Sequence, residues 1–186
     1  MTNEIKIIEI TIKEFKKEIY QKYKKLFPKN ERRPFKKVKR TYELGIEKFY
    51  KIIYDNNIIG FFMLEKLNDN YPSYLDYFGI FKEYQNKGYG SKSLIQLINL
   101  ISPNGICGEI EKIDDNNITT VKRYDFYKRI GFKKIDSEYS LYHVLYTPLI
   151  YSNKEYKKDE IDKILFDYYE LNCGLKELKK YCKKIK

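Results

Sequence analysis

The sequence is poor in the residues that bind metals or form disulfides. It has one histidine and only three cysteines, Cys107, Cys173 and Cys182, which lie far apart along the chain. No Cys-x-x-Cys pair occurs, and a single histidine cannot complete a set of zinc ligands. We therefore expect no metal site. Unpaired cysteines at such spacings are typical of a reduced compartment, so we expect a cytoplasmic protein.

Long apolar runs are also absent. No stretch approaches the roughly 20 apolar residues that a helix needs to cross a bilayer. The N-terminus carries Glu4 and Lys6 where a signal peptide would have an apolar segment. We expect no membrane partner. A chain of 186 residues can bury one sizeable core. We assign residues 1–150 to one domain and residues 151–186 to a helical extension that packs on it or lies at a homodimer contact.

Acidic residues are fewer than basic ones, 26 against 37, which gives a net charge of +11. Such a chain attracts anions, including coenzyme phosphates, acidic substrates and nucleic acid. The lysines are spread along predicted helices, which is the usual pattern of a solvated face. No nucleic-acid motif accompanies them, so a nucleic-acid role is kept only as an alternative.

The most informative stretch runs from Leu75 to Leu100. An apolar segment of strand length leads into Gln85-Asn86-Lys87-Gly88-Tyr89-Gly90-Ser91, and apolar residues then recur three and four apart, as in a helix. A helix N-terminus offers unpaired N–H groups and a partial positive charge, and glycine lets the backbone approach a ligand closely. The stretch therefore predicts a phosphate site.

The spacing Gln-x-x-Gly-x-Gly differs from better-known phosphate loops. The dinucleotide fingerprint needs a third glycine where Ser93 stands, and no Gly-Lys-Ser/Thr of a Walker loop follows. Lys82, Lys87 and Lys92 flank the loop and suit an anionic ligand. The alternative is a glycine-capped turn that binds nothing.

The loop resembles the acetyl-CoA loop of the GNAT superfamily of N-acetyltransferases. A second segment supports the resemblance, because Tyr127 and the following residues to Phe132 match the closing GNAT pattern Phe/Leu-Tyr-x-x-x-Gly-Phe. Two motifs in the family's order are more specific than either alone. The resemblance extends from Glu4 to Tyr146 and is carried by the part from Leu75 to Phe132.

The resemblance implies an α/β GNAT fold with a central, mixed, mostly antiparallel twisted sheet, flanked by helices. It places a β-bulge at Gly79 that splays two strands, although a glycine there could also be a simple weak spot in a strand. It implies acetyl-CoA as co-substrate, with pantetheine paired to the strand and the diphosphate held by the loop. The residues assigned to the coenzyme are Phe78, Gly79, Ile80, Phe81, Gln85, Asn86, Lys87, Gly88, Tyr89, Gly90, Ser91 and Tyr124.

Direct acetyl transfer to an amine needs a base for the amine, a donor for the oxyanion and an acid for the departing thiolate. The family tyrosine that points at the coenzyme sulfur corresponds to Tyr127. Glu109 is the first candidate for the base, because family members carry a catalytic glutamate on this strand. Glu111 shares its face of the strand, and Asp76 is a third candidate. Each carboxylate could instead pair with a cation or face solvent.

Arg32 and Arg33 lie in a loop between the first two helices. Both are interpreted as surface charges, with one alternative. The loop also resembles a segment of a bacterial GNAT subgroup beside the acceptor cleft, which implies that one arginine meets an acidic group of the acceptor.

Periodicity and turn residues predict the elements in order, with a capping box at Thr11 and Glu14 and a hairpin turn at Asp55-Asn56-Asn57. Strands are expected over Glu4–Ile10, Phe49–Tyr54, Ile58–Glu65, Tyr74–Phe81, Gly105–Ile113, Phe132–Asp136 and Glu138–Tyr146. Helices are expected from Thr11 to Pro28, up to Gly45, from Ser91 to before Pro103, over Ile118–Ile130, after Ser152 and over Leu175–Ile185. His143 falls inside the last strand, where packing is the commoner role for a lone histidine.

These features together predict an N-acetyltransferase that moves an acetyl group from acetyl-CoA to a primary amine of a small molecule or peptide. One alternative is a coenzyme A-binding sensor or interaction module without transferase activity. A second alternative is a basic nucleic-acid-binding protein. The sequence leaves open the identity of the acceptor, the choice of base and the oligomeric state.

Overall fold

The computed structural model of the chain describes residues 4–101 and 104–186. The described residues form two compact units, one of residues 4–66 and 75–101 and the other of residues 67–74 and 104–186. We call them the N-terminal and the C-terminal unit. This division differs from the expected one, in which a domain of residues 1–150 is followed by an extension. The boundary at residue 150 stays a prediction.

The N-terminal unit contains an antiparallel sheet. Strand β1 (Lys6–Ile10) pairs with β2 (Glu47–Tyr54), and β2 pairs with β3 (Asn57–Glu65), beside which lies β4 (Ser73–Ile80). Asp55 and Asn56 between β2 and β3 have φ of 49° and 59°. Two left-handed residues are what a two-residue hairpin turn requires, so the predicted hairpin is confirmed.

Helices cover this sheet. Helix α1 (Ile12–Glu14) continues through a π-helical turn (Phe15–Ile19) into α2 (Tyr20–Leu26), and the basic helix α3 (Phe35–Glu43) follows. The predicted capping box at Thr11 is confirmed: Thr11 N donates to Glu14 Oε2 at 2.8 Å and Glu14 N donates to Thr11 Oγ1 at 3.3 Å. Phe15, fully buried, stacks on Phe49 with ring centroids 4.3 Å apart.

Arg33 is an interior residue, so its interpretation as a surface charge is wrong. Its Nη1 donates to Glu65 Oε1 and to Asp76 Oδ2, both at 2.5 Å. Its Nη2 donates to Glu47 Oε2 at 2.8 Å and to Thr41 Oγ1 at 2.6 Å. The Arg33 side chain is 10% exposed, and those of Glu47 and Glu65 are 0% exposed. The guanidinium therefore serves the protein's own carboxylates rather than an acceptor.

Three carboxylates around one guanidinium favour retention of a proton. Burial raises the pKa of Glu47 to about 7, against the opposing effect of Arg33, and the charge of Asp76 raises it further. Burial raises the pKa of Asp76 as well, again opposed by Arg33. Both shifts favour the protonated form of a carboxyl, and protonation would reduce the charge that is buried without compensation.

The same residue fixes the loop that carries it. Arg33 N donates to Tyr23 Oη at 2.8 Å and to Tyr77 Oη at 3.1 Å, and Tyr77 Oη donates to the carbonyl of Glu31 at 2.6 Å. Two buried tyrosines from α2 and β4 therefore hold the loop by its main chain, while the Arg33 side chain reaches β2, β3 and β4.

The C-terminal unit has a mixed sheet. Strand β5 (Ile106–Glu111) pairs in parallel with the first residues of β4, Ser73 with Ile106 and Tyr74 with Cys107, and pairs antiparallel with β8 (Val144–Tyr151). β6 (Lys133–Lys134) and β7 (Tyr139–Leu141) both pair with β8. Helices α5 (Ile118–Ile130), α6 (Lys158–Cys173) and α7 (Leu175–Tyr181) complete the unit.

Two predictions for this unit need correction. Tyr142 and His143, with φ of 48° and 70°, form the turn of a hairpin between β7 and β8, so His143 is an exposed turn residue and not a strand residue. The last predicted helix ends at Tyr181, and the chain continues as β9 (Cys182–Lys184), which pairs with β7. The extension is therefore helical with a terminal strand that joins the sheet.

The predicted α/β class, with a mixed and mostly antiparallel sheet flanked by helices, is confirmed. The expected stop before Pro103 lies outside the described residues. Within residues 4–101 and 104–186, no helix combines the length and the apolar character needed to cross a membrane.

Replacing Arg33 by methionine should destabilise the protein by about 3–5 kcal/mol, because three buried carboxylates would lose their cation. Arg32 provides a matched control, since its Nη1 donates to the carbonyl of Lys24 at 2.8 Å. Arg32→Met should cost about 1 kcal/mol or less. Urea unfolding of both variants measures the difference. Should Arg33→Met not fold, Arg33→Lys keeps the charge without the forked geometry and should fall between the two. Equal losses at both arginines would refute the cluster's importance.

Candidate functional site

The glycine loop of the N-terminal unit joins a strand to a helix, as predicted. β4 ends at Ile80, a 3₁₀ turn (Lys82–Tyr84) follows, and α4 (Tyr89–Ile101) begins one residue after Gly88. The helix begins at Tyr89 and not at Ser91, so Gly90 lies in its first turn. Asn86 and Gly88 have φ of 60° and 76°. Of the two glycines, Gly88 and not Gly90 therefore adopts the left-handed conformation that favours glycine.

The loop is suited to a diphosphate. Lys92 N donates to the carbonyl of Gly88 at 3.3 Å, so the amides of Tyr89, Gly90 and Ser91 precede the first main-chain bond of the helix. A Cβ built on Gly88 would meet no atom within 4 Å, so open space lies beside the backbone there. Amides at the start of a 13-residue helix, next to open space, fit the diphosphate of acetyl-CoA.

Side chains of the loop contact the protein itself. Gln85 Nε2 donates to the carbonyl of Ile80 at 2.8 Å, and Lys87 Nζ donates to the carbonyl of Glu83 at 3.0 Å. The ring of Tyr89 packs against Tyr54 at 4.6 Å between centroids. These contacts fix the conformation of the loop, so its main chain is the part that can hold a ligand.

On β4, alternate residues direct their main-chain groups to opposite edges of the strand. Phe81 N donates to the carbonyl of Ile59 on β3 at 2.8 Å. Ile80, one residue before Phe81, therefore faces the other edge, where its carbonyl accepts from Gln85. Phe78 to Phe81 are the four residues expected to pair with pantetheine. The role of all four stays a prediction.

Gly79 lies in a close contact, and the sequence did not reveal its partner. A Cβ at Gly79 would stand 2.8 Å from Leu26 Cδ1, and a Cβ at Gly60 would stand 2.4 Å from the carbonyl oxygen of Gly79. Gly60 is therefore required by the packing of β3 on β4, because the contact is with main chain, whereas at Gly79 the end of the Leu26 side chain could shift. The β-bulge expected at Gly79 stays a prediction; a register irregularity lies between Ile52 and Ile53 of β2.

In the C-terminal unit, Tyr127 lies on α5, which has the predicted bounds Ile118–Ile130 and ends at Gly131 with φ of 110°. The ring of Tyr127 makes edge contacts with Phe126 and Phe132, with centroids 5.0 and 5.2 Å apart. Burial raises the pKa of Tyr127 to about 12, against a smaller opposing effect of Arg123. The phenol is therefore protonated at neutral pH, the state that an acid requires.

Glu109 and Glu111 are both partly buried on β5, with Ile110 buried between them. Tyr74 Oη donates to Glu109 Oε1 at 2.7 Å. Glu111 Oε2 accepts from Arg123 Nη1 at 2.6 Å in an ion pair. The two candidate bases thus differ in their partners: the first is held by a phenol and the second is paired with a cation.

The third candidate base, Asp76, belongs to the Arg33 cluster. Carboxylate oxygens of Glu47, Glu65 and Asp76 lie within 4.8 Å of one another, a spacing that could suit a cation. The Arg33 guanidinium occupies that position. Asp76 therefore has a structural role, and its use as a base stays a prediction.

Comparisons with known proteins agree with these features. The family model described as Acetyltransferase (GNAT) family matches residues 16–132. No curated protein matches the sequence. Among solved structures, a protein of Bacteroides thetaiotaomicron described as a GNAT-family acetyltransferase has a TM-score of 0.79 at 22% identity, over 91% of this chain and 99% of that one.

Two further structures share the fold at lower identity. Arabidopsis thaliana NAA60 in complex with acetyl-CoA has a TM-score of 0.61 at 14% identity, over 81% of this chain and 99% of that one. A chimera of spermidine N-acetyltransferase SpeG from Vibrio cholerae and hSSAT has a TM-score of 0.61 at 14% identity, over 80% and 95%. These similarities confirm the predicted fold.

Replacing Gly88 by alanine should raise the dissociation constant of acetyl-CoA about tenfold or more, because a left-handed alanine costs about 1–2 kcal/mol and a methyl group would enter the space beside the amides. Gly45 is a matched control, with φ of 73° and no atom within 4 Å of a built Cβ. Gly45→Ala should cost similar stability and leave the affinity unchanged. Calorimetric titration with acetyl-CoA measures both. Unchanged affinity in Gly88→Ala would contradict the loop's assignment.

Proposed function

Because the chain belongs to the GNAT acetyltransferase family, we propose that it transfers an acetyl group from acetyl-CoA directly to a primary amine. The observation that carries this proposal is the loop of residues 85–91, where Gly88 brings the first amides of α4 beside open space. A main-chain anion site after a strand is what binding of the coenzyme diphosphate needs.

The proposed coenzyme contacts are main-chain ones for the most part. The loop from Gln85 to Ser91 holds the diphosphate, and the main chain from Phe78 to Phe81 pairs with the pantetheine amides, as an added strand would. Tyr124 on α5 contributes a further contact. The coenzyme supplies an acetyl thioester, which an amine can attack.

Glu109 acts as the base in this proposal. It takes a proton from the ammonium form of the acceptor, directly or through water, so that the nitrogen lone pair can form the new C–N bond. The nitrogen of the tetrahedral intermediate loses its second proton to solvent, the C–S bond breaks, and Tyr127 gives its phenolic proton to the departing sulfur. The products are an amide and coenzyme A with a free thiol; Glu109 releases its proton to solvent, and solvent returns a proton to Tyr127.

The choice of Glu109 over its two rivals follows from their partners. A carboxylate that is bonded to a guanidinium is engaged in an ion pair and is less available to the ammonium group of an acceptor. Glu111 is paired with Arg123 at 2.6 Å and Asp76 with Arg33 at 2.5 Å. Glu109 accepts from the phenol of Tyr74, which holds the group in place without neutralising it.

The acceptor is proposed only as a primary amine of a small molecule or peptide. The net charge of +11 works against strongly cationic acceptors at long range, while Glu109 and Glu111 could attract them locally. A panel should therefore contain a polyamine, a peptide with a free N-terminus and free lysine. The titles of two structural neighbours, a spermidine N-acetyltransferase and NAA60, justify the first two choices.

The protein with acetyl-CoA should release free thiol at a rate that increases when an acceptor from this panel is added, because only aminolysis of the thioester consumes the amine. A thiol-reactive dye follows the release, and mass spectrometry should find the acceptor heavier by one acetyl group. Binding of acetyl-CoA with no amine-dependent release across the panel would instead support the coenzyme-binding module.

Replacing Tyr127 by phenylalanine should lower kcat about 100-fold while leaving acetyl-CoA affinity nearly unchanged, because the variant loses a proton donor and little packing. Tyr50 is a suitable control, since burial raises its pKa too and its hydroxyl donates to Glu9 at 3.3 Å. Tyr50→Phe should keep full turnover. Steady-state kinetics with an acceptor that is active in the thiol-release assay measures kcat of both variants. Full turnover in Tyr127→Phe would remove Tyr127 from the mechanism.

A further inference from the structure

The carboxylate of Glu109 lies in a region of the C-terminal unit that is rich in phenols. Tyr74, at the start of β4, donates to it at 2.7 Å and is only 4% exposed. The ring of Tyr74 stacks on Tyr168 with centroids 5.0 Å apart and meets Tyr169 edge-on at 6.3 Å. Both of these tyrosines belong to α6, so the C-terminal extension packs directly on the residue that holds Glu109.

Hydrogen bonds fix α6 at this place. Tyr168 Oη donates to the carbonyl of Pro72 at 2.9 Å and accepts from Leu67 N at 3.4 Å. At the preceding residue of each segment, Tyr71 Oη donates to Asp167 Oδ2 at 2.8 Å. The segment that leads into β4 is thus bound to α6 at several points, which leaves the next residue of the helix, Tyr169, little freedom to move.

Tyr169 is 2% exposed, and its hydroxyl makes no hydrogen bond among the residues that the structure describes. A buried hydroxyl without a partner is costly, so a nearby acceptor is expected. Tyr74 both bonds to Glu109 and contacts the Tyr169 ring, which places Glu109 near the Tyr169 hydroxyl. In agreement, the pKa of Tyr169 is raised well above its ordinary value, first by burial and next by the negative charge of Glu109.

We propose that Tyr169 and Tyr74 are positioning residues that hold the Glu109 carboxylate between two phenolic donors, so that the C-terminal extension completes the catalytic base. The inference rests on the proposed function, in which Glu109 removes the proton of the acceptor. Two donors from different elements fix both the position and the orientation of a carboxylate. They also favour its charged form, the form that can accept a proton.

Other titratable groups face Glu109 from the surrounding elements. Cys107 precedes it by two residues on β5, and Cys182 lies on β9. Burial, followed by the charge of Glu109, raises the pKa of the Cys107 thiol; burial, followed by Cys173 and then Glu109, raises that of Cys182 to about 12. Both thiols stay protonated at neutral pH. The two thiols are therefore not expected to add a pH response of their own near neutrality.

The test measures the Glu109 carboxyl directly, by NMR of protein labelled with ¹³C in its glutamates. Glu109→Gln identifies the signal. Tyr169→Phe should raise the midpoint of its titration by about one pH unit, because a hydrogen bond to the charged form is lost. Tyr74→Phe should do the same, which keeps the test open if one variant folds poorly.

Tyr139→Phe is the matched control, since the Tyr139 phenol is fully buried in the same core and donates to Asp162 on α6. It should lower stability and leave the Glu109 midpoint unchanged. An unchanged midpoint in Tyr169→Phe, or the same shift in Tyr139→Phe, would overturn the proposed contact.

Kinetics separate this inference from the function on which it rests. With an active acceptor, Tyr169→Phe should lower kcat about tenfold, move the acid limb of the pH–rate profile to higher pH and leave acetyl-CoA affinity unchanged. A shifted midpoint with an unshifted rate profile would overturn the catalytic part. If the wild-type protein releases no thiol with any amine, the proposed function fails, while the NMR midpoints still decide whether Tyr169 holds Glu109.

Discussion

The buried ion cluster of Arg33 is the interaction on which the N-terminal unit depends. A guanidinium and three carboxylates are expensive to remove from water, and their mutual attraction compensates only when nearly every donor and acceptor is used. Here the guanidinium bonds to residues of β2, β3, β4 and α3 at distances from 2.5 to 2.8 Å. The cluster therefore joins three strands and a helix through one side chain.

Strand β4 contains one residue of that cluster and also residues assigned to the candidate site. Asp76, inside the cluster, lies between Tyr74, which holds Glu109, and Phe78, the first residue proposed to pair with pantetheine. The same strand runs into the loop whose amides precede α4. Arg33, which takes no part in the proposed reaction, thus supports β4. That strand carries both Tyr74, which holds Glu109, and the residues proposed to bind pantetheine. This is why loss of Arg33 should affect stability first and activity as a consequence.

Local signals in the sequence predicted the elements well. The Thr11 capping box, the Asp55–Asn56 turn and the helix Ile118–Ile130 with Gly131 at its end depend on residues within one or two turns of each other, so the sequence contains all the information needed. The Tyr142–His143 turn was missed because neither residue is a usual turn former, and the pairing with β7 and β8 imposes the left-handed conformation on them.

Long-range contacts could not be predicted from the sequence. The partners of Arg33 lie 8 to 43 residues away, and no periodicity links an arginine in a loop to acidic residues on three strands. The residues of β9 were predicted to be helical. They form a strand because they pair with the edge of β7, which exists only in the folded chain. The candidate site divides in the same way: its glycine loop could be predicted, whereas the phenols around Glu109 could not.

The partners of the three candidate bases give a physical reason why one strand residue and not its neighbours should carry the proton. A carboxylate bonded to a guanidinium has its charge balanced within the protein, which suits a structural role, as in the pairs Arg33–Asp76 and Arg123–Glu111. A carboxylate held by phenols keeps its charge, because a neutral donor orients it without neutralising it. Phenols can only fill this role when they are buried and fixed, and Tyr74 meets that condition through its stacking on Tyr168 of α6. The C-terminal helix is then the element that makes Glu109 different from Glu111, although both project from the same strand.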